Sequence, residues 1–169
     1  MHAQPTAPLA RIRQGLRALS PAPSPPIPDH LAAMLPNAVL AAWHALGHYD
    51  QRHLVAVARD LDAASQPDHI VLAGLLHDIG KAGHITVVDR VVHVLLGRLA
   101  PGLRRRLAAR ARPLPGLDGL HLLLRHAEHG ADLLEEAGMP ADVVWLVRHH
   151  EQPTEYPELR VLLAADHRH

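Results

Sequence analysis

Apolar residues recur at intervals of three and four along most of the chain, which is the spacing of amphipathic helices. Asp29 and Asp68 stand where helix caps are expected, and Gly138 stands where a helix should end. No alternating strand pattern, internal repeat or glycine-rich phosphate loop interrupts this spacing. The pattern predicts an all-α bundle with helices over 29–35, 37–46, 49–61, 68–78, 86–100, 117–137, 141–151 and 158–166. The helix over 86–100 is expected to be interrupted by Gly97 and to stop at Pro101, and the arginine-rich run 103–112 is expected to be a solvated face.

The N-terminal part of the chain differs from the rest. Residues 1–8 are predicted to be a loose tail, and residues 9–19 have the spacing of a short amphipathic helix with arginines between the apolar positions. Residues 20–28 contain five prolines and predict a stiff polyproline-type spacer. We therefore expect a tail and linker over 1–28, followed by one helical domain over 29–169.

One apolar run ends in an unusual way. Residues 70–76 are apolar throughout and are followed directly by His77-Asp78-Ile79-Gly80-Lys81. A buried helix should not end in an imidazole and a carboxylate unless another group pairs with them. A metal ion is such a partner, because both side chains are good ligands for transition metals.

Composition narrows the function. Apolar residues make up 48% of the chain without any Phe, which favours an aliphatic helical core, and the formal net charge of zero gives no general attraction for nucleic acid. No apolar run is long enough to span a membrane, and no secretory signal pattern is found, so a cytoplasmic location is expected. The absence of Cys excludes thiol chemistry, whereas 16 His point to metal chemistry.

Several polar residues stand at the ends or on the inner faces of predicted apolar helices. They supply five imidazoles and two carboxylates, a suitable set for two metal ions joined by a carboxylate. Asp78, beside a candidate ligand histidine, is the natural bridge between the ions. The set consists of His53, His77, Asp78, His126, His149, His150 and Asp166.

The order and spacing of these residues resemble the HD-domain metal-dependent phosphohydrolase superfamily in its HDIG form. The segments 126–130 and 149–151 are similar to those of its two-metal subset, which includes the HD-GYP cyclic-dinucleotide phosphodiesterases. The resemblance covers residues 40–166 and implies an HD-domain helical bundle with the metal site in its central cleft. The implied ligands of one ion are His53, His77, Asp78 and Asp166. Those of the second ion are Asp78, His126, His149 and His150.

Two departures from that subset are visible. The paired histidines are followed by Tyr156-Pro157 without the glycines of the Gly-Tyr-Pro signature, so the resemblance does not imply cyclic-di-GMP as the substrate. Tyr49 occupies the position at which some members carry a glutamate for a third metal, and Asp50 is only a remote substitute. We therefore expect two ions.

The resemblance implies hydrolysis of a phosphoester by a water activated between two divalent ions, with Asp78 and Lys81 as the catalytic residues. Lys81 would contact the substrate phosphate. The histidine-rich ligand set favours manganese or iron over magnesium, with zinc, cobalt or nickel also suitable. The implied partner is a small-molecule phosphoester such as a nucleotide, a cyclic nucleotide or a cyclic dinucleotide. Its specificity would lie in the walls formed by residues 85–120, which include the arginines of 104–112.

Two other functions fit the same residues. Similar ligand sets support mixed-valent di-iron oxygenases, which oxygen consumption would reveal. A non-catalytic signalling domain of the HD type would bind metal without turnover. Membrane and nucleic-acid partners are not expected, whereas self-association remains open.

Overall fold

The computed structural model describes residues 23–152 and 155–169. Within these ranges it contains α-helices and one 3₁₀ helix and no β-strand, which confirms the predicted all-α class. The tail and helix predicted for residues 1–19 lie outside the described residues. No helix in the described ranges is long and apolar enough to cross a membrane.

The α-helices follow one another with short connections. In chain order they are α1 Asp29–Ala32, α2 Asn37–Ala45, α3 His48–Ala63, α4 Asp68–Leu76, α5 Val87–Leu99, α6 Pro101–Ala108, α7 Asp118–Glu136, α8 Ala141–His149 and α9 Pro157–Asp166. The 3₁₀ helix Ile79–Lys81 follows α4 directly. The sequence pattern did not predict this turn, which carries the last three residues of the His-Asp-Ile-Gly-Lys segment.

The helix starts differ from prediction in one respect. Asp29 and Asp68 lie in the first turn of α1 and α4, where their charge meets the positive end of the helix dipole. The N-cap positions belong to Pro28 and Pro67, and neither helix has a side-chain cap. A full capping box is formed instead by Thr86 and Asp89 at the start of α5.

The core is built around α4. Every residue from Ile70 to Leu76 is buried, which confirms that this run is a helix covered on all sides. Helices α3, α8 and α9 cover α4, and their buried side chains are almost entirely Leu, Val and Ala. His77 and Asp78 follow the last residue of α4. Because α4 is enclosed, these two side chains lie in the interior rather than in solvent.

Two glycines allow the 3₁₀ helix to cross α7 at close range. A Cβ atom added to Gly80 would lie 2.0 Å from the carbonyl oxygen of His126 and 2.5 Å from the amide nitrogen of Gly130. A Cβ atom on Gly130 would lie 3.0 Å from the amide nitrogen of Gly80. His126 and Asp78 are predicted to belong to one site, and this glycine crossing brings their backbones together.

Helices α5 and α6 lie at the edge of this core. Neither helix contains a buried residue. Gly97 does not interrupt α5, and Pro101 begins α6 at a position where its missing N–H is not needed. A main attachment of α5 is Arg90, whose guanidinium donates to both carboxylate oxygens of the buried Asp50 on α3 at 3.2 and 2.6 Å.

Candidate metal centre

A first group of possible metal ligands lies between α3, α4 and α9. The Nε2 atom of His53 is 2.9 Å from Oδ1 of Asp166, and the Nε2 atom of His77 is 3.5 Å from the same oxygen. His53 stands in the middle of α3, His77 follows the end of α4, and Asp166 is the last residue of α9. Three segments that together span more than a hundred positions therefore place three ligand atoms within 4.8 Å of one another.

A second group lies beside the first and is fully buried. The Nε2 atom of His126 is 3.1 Å from Oδ1 of Asp78, and the Nε2 atom of His150 is 3.7 Å from that oxygen. The two imidazoles face each other with their Nε2 atoms 3.2 Å apart. Asp78 follows α4, His126 belongs to α7 and His150 follows α8. The packing of α7 on the 3₁₀ helix and of α8 on α4 and α7 builds this group.

Asp78 connects the two groups. Its Oδ1 atom faces His126 and His150, whereas its Oδ2 atom is 3.8 Å from the Nε2 atom of His77. The imidazole rings also form a continuous series, with centroids 5.4 Å apart for His53 and His77, 5.1 Å for His77 and His150, and 5.1 Å for His150 and His126. Six of the seven donors predicted for two sites thus lie close together.

The backbone fixes the orientation of three imidazoles. The Nδ1 atoms of His77, His126 and His150 lie 3.0, 2.8 and 2.7 Å from carbonyl oxygens of their own helices. A carbonyl oxygen only accepts, so each Nδ1 must carry the proton and donate it. The Nε2 atom of each neutral ring then holds a lone pair directed into the centre, which is how ligand histidines are held in metal sites.

A cation would stabilise this arrangement. With neutral rings, the lone pairs of His126 and His150 face each other and the Asp78 carboxylate without a proton between them. An added proton or a metal ion would offset this repulsion of three buried acceptors. Imidazole nitrogens with one carboxylate are ordinary ligands of zinc, iron, manganese and nickel, so the residues fit a transition-metal ion.

The charges around the centre keep both carboxylates ionised. Burial opposes ionisation of Asp78, but the ammonium group of Lys81 outweighs it and holds the pKa of that carboxyl well below its ordinary value. Burial likewise opposes ionisation of Asp166, and the hydrogen bond from His53 overcomes it and lowers the pKa of Asp166. Lys81 itself donates to Oδ2 of Asp78. The predicted phosphate-binding lysine is therefore paired with the bridging carboxylate in this structure.

His149 is not brought into either group. Its Nδ1 atom lies 2.7 Å from the carbonyl oxygen of Trp145, and its ring stacks on the Trp145 indole with centroids 4.5 Å apart. Adjacent positions on a helix point about 100° apart, so His149 and His150 cannot both face the same centre while α8 keeps its rotation. Asp50 is likewise engaged by Arg90 and does not serve as a substitute ligand.

Three polar residues near the centre were not predicted as site residues. Glu151 lies 4.0 Å from the Nε2 atom of His126 and accepts from Arg104 of α6 at 3.4 Å. His93 of α5 has a buried Nδ1 atom without a hydrogen-bond partner in the described residues, and the Nε atom of Arg104 is in the same situation. Burial and the Arg104 charge lower the pKa of His93 to about 4. The sequence did contain a signal for His93. Its three-residue spacing from Arg90 places both side chains on one face of α5.

The fold and the two ligand groups define an all-α domain of the HD type with buried His and Asp side chains able to hold metal. The sequence model of the HDOD domain, an HD-related domain, matches residues 53–153. The chain therefore belongs to the HDOD domain family, and its resemblance to the HD superfamily is confirmed. No curated protein and no solved structure gives a significant match.

Proposed function

We propose that this protein is a metal-dependent phosphohydrolase that cleaves a small nucleotide-type phosphoester. The observation that carries the proposal is the position of Asp78. Its Oδ1 atom faces His126 and His150, and its Oδ2 atom lies 3.8 Å from His77 of the other group. A carboxylate in this position can join two divalent ions and offset their mutual repulsion. The membership of the chain in an HD-related family agrees with a metal-binding role.

The bound ions, the histidines and Lys81 would have different roles in hydrolysis. Divalent ions, when bound, would lower the pKa of a coordinated water and offset charge on phosphoryl oxygens. His77, His126 and His150 donate from Nδ1 to backbone carbonyls, which directs each Nε2 atom at the centre, so they need no reorientation to bind metal. Lys81 is the nearest cation to Asp78 and would turn toward a phosphate oxygen once metal neutralises the carboxylate.

The inner faces of α5 and α6 supply a wall for the substrate. Arg104 and His93 approach the centre from this side, and each has a buried nitrogen without a partner among the described residues. Unpaired buried donors are costly, and an anionic ligand would pair with them. This wall lies within residues 85–120, where the sequence predicted the specificity of the site.

A second function is favoured by the family itself. HDOD domains are often signalling domains without catalysis. In such a domain the same histidines would bind metal for stability or sensing. The burial of His77, Asp78, His126 and His150, each at most 5% exposed, suits a structural ion as well as a catalytic one.

Metal analysis combined with a substrate screen separates these functions. We expect the purified protein to bind about two equivalents of manganese or iron and to hydrolyse generic or nucleotide phosphodiesters. Asp78→Ala should abolish both properties, whereas Asp68→Ala on the exposed start of the same helix should change neither. Tight metal binding without turnover on any phosphoester would support the signalling function. Oxygen consumption by the iron-loaded protein would instead support an oxygenase.

The adjacent histidines of α8 give a finer test of the ligand set. His150→Gln should lower metal content and affinity, because its Nε2 atom faces His126 and Asp78. His149→Gln should leave metal content unchanged, because the His149 ring stacks on Trp145 outside both groups. Equal loss of metal in both variants would show that α8 rotates on metal binding and that the proposed ligand set is incomplete.

A further inference from the structure

The second ligand group has one protein donor fewer than the sequence predicted. Asp78, His126 and His150 place three ligand atoms within 4.8 Å of one another. The fourth predicted donor, His149, stacks on Trp145 instead. A transition-metal ion in a protein usually has four or more ligands, of which water or substrate supplies one in a catalytic site. A further protein donor beside this group would therefore raise its affinity for the ion.

Glu151 places a carboxylate at the edge of the second group. Its Oε1 atom lies 4.0 Å from the Nε2 atom of His126. Two atoms that bind one ion at about 2.1 Å each lie no more than about 4.2 Å apart, so this distance fits within one coordination shell. Glu151 directly follows the candidate ligand His150 in the chain, and its side chain is 37% exposed. The carboxylate is therefore close to the group without being fixed there by packing.

Arg104 of α6 is the present partner of this carboxylate. Its guanidinium donates to the same Oε1 atom at 3.4 Å, which is long for a charge-assisted hydrogen bond. In this position Glu151 does not join the three residues whose ligand atoms all lie within 4.8 Å of one another. A partly exposed ion pair of this length contributes little, whereas a divalent ion is a strong partner for a carboxylate. Rotation about the side-chain bonds of Glu151 would exchange one partner for the other.

The charge of the centre favours this exchange. Two divalent ions carry four positive charges, and Lys81 adds another beside Asp78. Among the described residues, the two ligand groups contain only the carboxylates of Asp78 and Asp166. An excess of buried positive charge is costly, and a further carboxylate would offset part of it. Asp50 does not serve this purpose, because Arg90 donates to both of its carboxylate oxygens.

We infer that Glu151 is a ligand of the second metal ion and takes the place predicted for His149. This inference rests on the metal-binding part of the proposed function. Binding of the ion would also release Arg104 from its carboxylate partner. The guanidinium would then be available to an anionic substrate, so that metal loading prepares the wall formed by α5 and α6 for a phosphate group.

Metal titration of the full chain tests the role of Glu151. Calorimetry should show about two equivalents of Mn²⁺ bound to the wild-type protein, and Glu151→Gln should weaken the second ion by at least about tenfold. Glu155→Gln is the matched control, because Glu155 is a fully exposed carboxylate in the same connection between α8 and α9 and should leave both affinities unchanged. The visible absorption spectrum of the Co²⁺-loaded protein should change in Glu151→Gln alone, because one ion loses a ligand.

An Arg104→Met background separates a metal ligand from a mere ion-pair partner. If Glu151 binds the ion, Glu151→Gln should still weaken metal binding in this background, where no ion pair remains to be broken. Loss of the effect in this background would overturn the inference, as would equal affinities of the wild type and Glu151→Gln.

The same titration distinguishes this inference from the proposed function. Wild-type metal binding that Glu151→Gln leaves unchanged would overturn the ligand role of Glu151 alone. A wild-type chain that binds neither Mn²⁺ nor Co²⁺ would overturn both. Metal binding that Glu151→Gln weakens, without turnover of any phosphoester, would support the ligand role and count against hydrolysis.

Discussion

The two sides of the candidate metal centre are built in different ways. On one side α4, the 3₁₀ helix, α7 and α8 hold His77, Asp78, His126 and His150 in a fully buried setting. On the other side α5 and α6 contain no buried residue and reach the centre through single polar side chains such as Arg90 and Arg104. The first side is a packed core, whereas the second is a wall attached by ion pairs.

The two sides should therefore differ in rigidity. Close packing leaves few alternative positions for the ligands, so the buried side should hold its geometry with or without metal. Ion pairs at a partly exposed surface contribute less and allow local opening, which is expected of a wall that admits substrate.

The largest effect is expected at the glycine crossing. Gly80→Ala would force a Cβ atom to within 2.0 Å of a backbone oxygen of α7, and we expect the free energy of unfolding to fall by about 3 kcal/mol or more. Gly102→Ala is the control in α6, where nothing lies within 4 Å, and should change stability by less than about 1 kcal/mol. Urea unfolding measures both. Similar losses in the two variants would contradict the comparison between the two sides.

Metal addition should stabilise the buried side selectively. At a hundredfold excess over Kd, an ion that binds only the folded state raises the free energy of unfolding by about 2.7 kcal/mol. Hydrogen exchange should slow over residues 70–82, 121–131 and 145–151 and change little over 87–108. Chelation with EDTA should reverse this protection. Uniform protection of both regions would mean that α5 and α6 are coupled to the ion as tightly as the core.

Replacement of Arg90 should loosen the attachment of α5 to α3. Arg90→Met leaves the carboxylate of Asp50 buried without its partner, and we expect a loss of about 2 kcal/mol together with faster hydrogen exchange in α5. Arg98→Met on the exposed side of the same helix should alter stability by less than about 0.5 kcal/mol. If α5 exchanges at the same rate in both variants, the Arg90–Asp50 pair does not hold it.

The free energy of unfolding should depend on pH through His93 of α5. Its folded pKa of about 4 lies below its ordinary value of 6.5, so the unfolded chain takes up a proton first as the pH falls. The contribution of His93 is fully present above pH 6.5 and is lost between pH 6.5 and about 4, by on the order of 1–2 kcal/mol after allowance for its partial exposure. His93→Gln should flatten this part of the stability curve of the metal-free protein, whereas exposed His44→Gln should not. An unchanged curve in His93→Gln would assign the pH dependence to other groups.

Local patterns were sufficient for the helices and for most of the candidate ligand residues that the structure brings together. Periodicity located the helices of the domain, and the run at 70–76 predicted the buried helix that ends at His77 and Asp78. His53, His126, His150 and Asp166 followed from their chemistry at helix ends and inner faces, and the structure brings them together. These features are encoded over a few residues each, because side-chain spacing alone fixes which face of a helix is apolar.

Other features depend on how the helices rotate and pack, and only the tertiary structure decided them. The rotation of α8 selects His150 over His149 at the centre, and the position of α5 pairs Arg90 with Asp50 forty residues away. The same position leaves an aliphatic face outside, although periodicity by itself would have turned it inward. A helical pattern states which residues share a face, but the neighbouring elements determine the direction in which that face points.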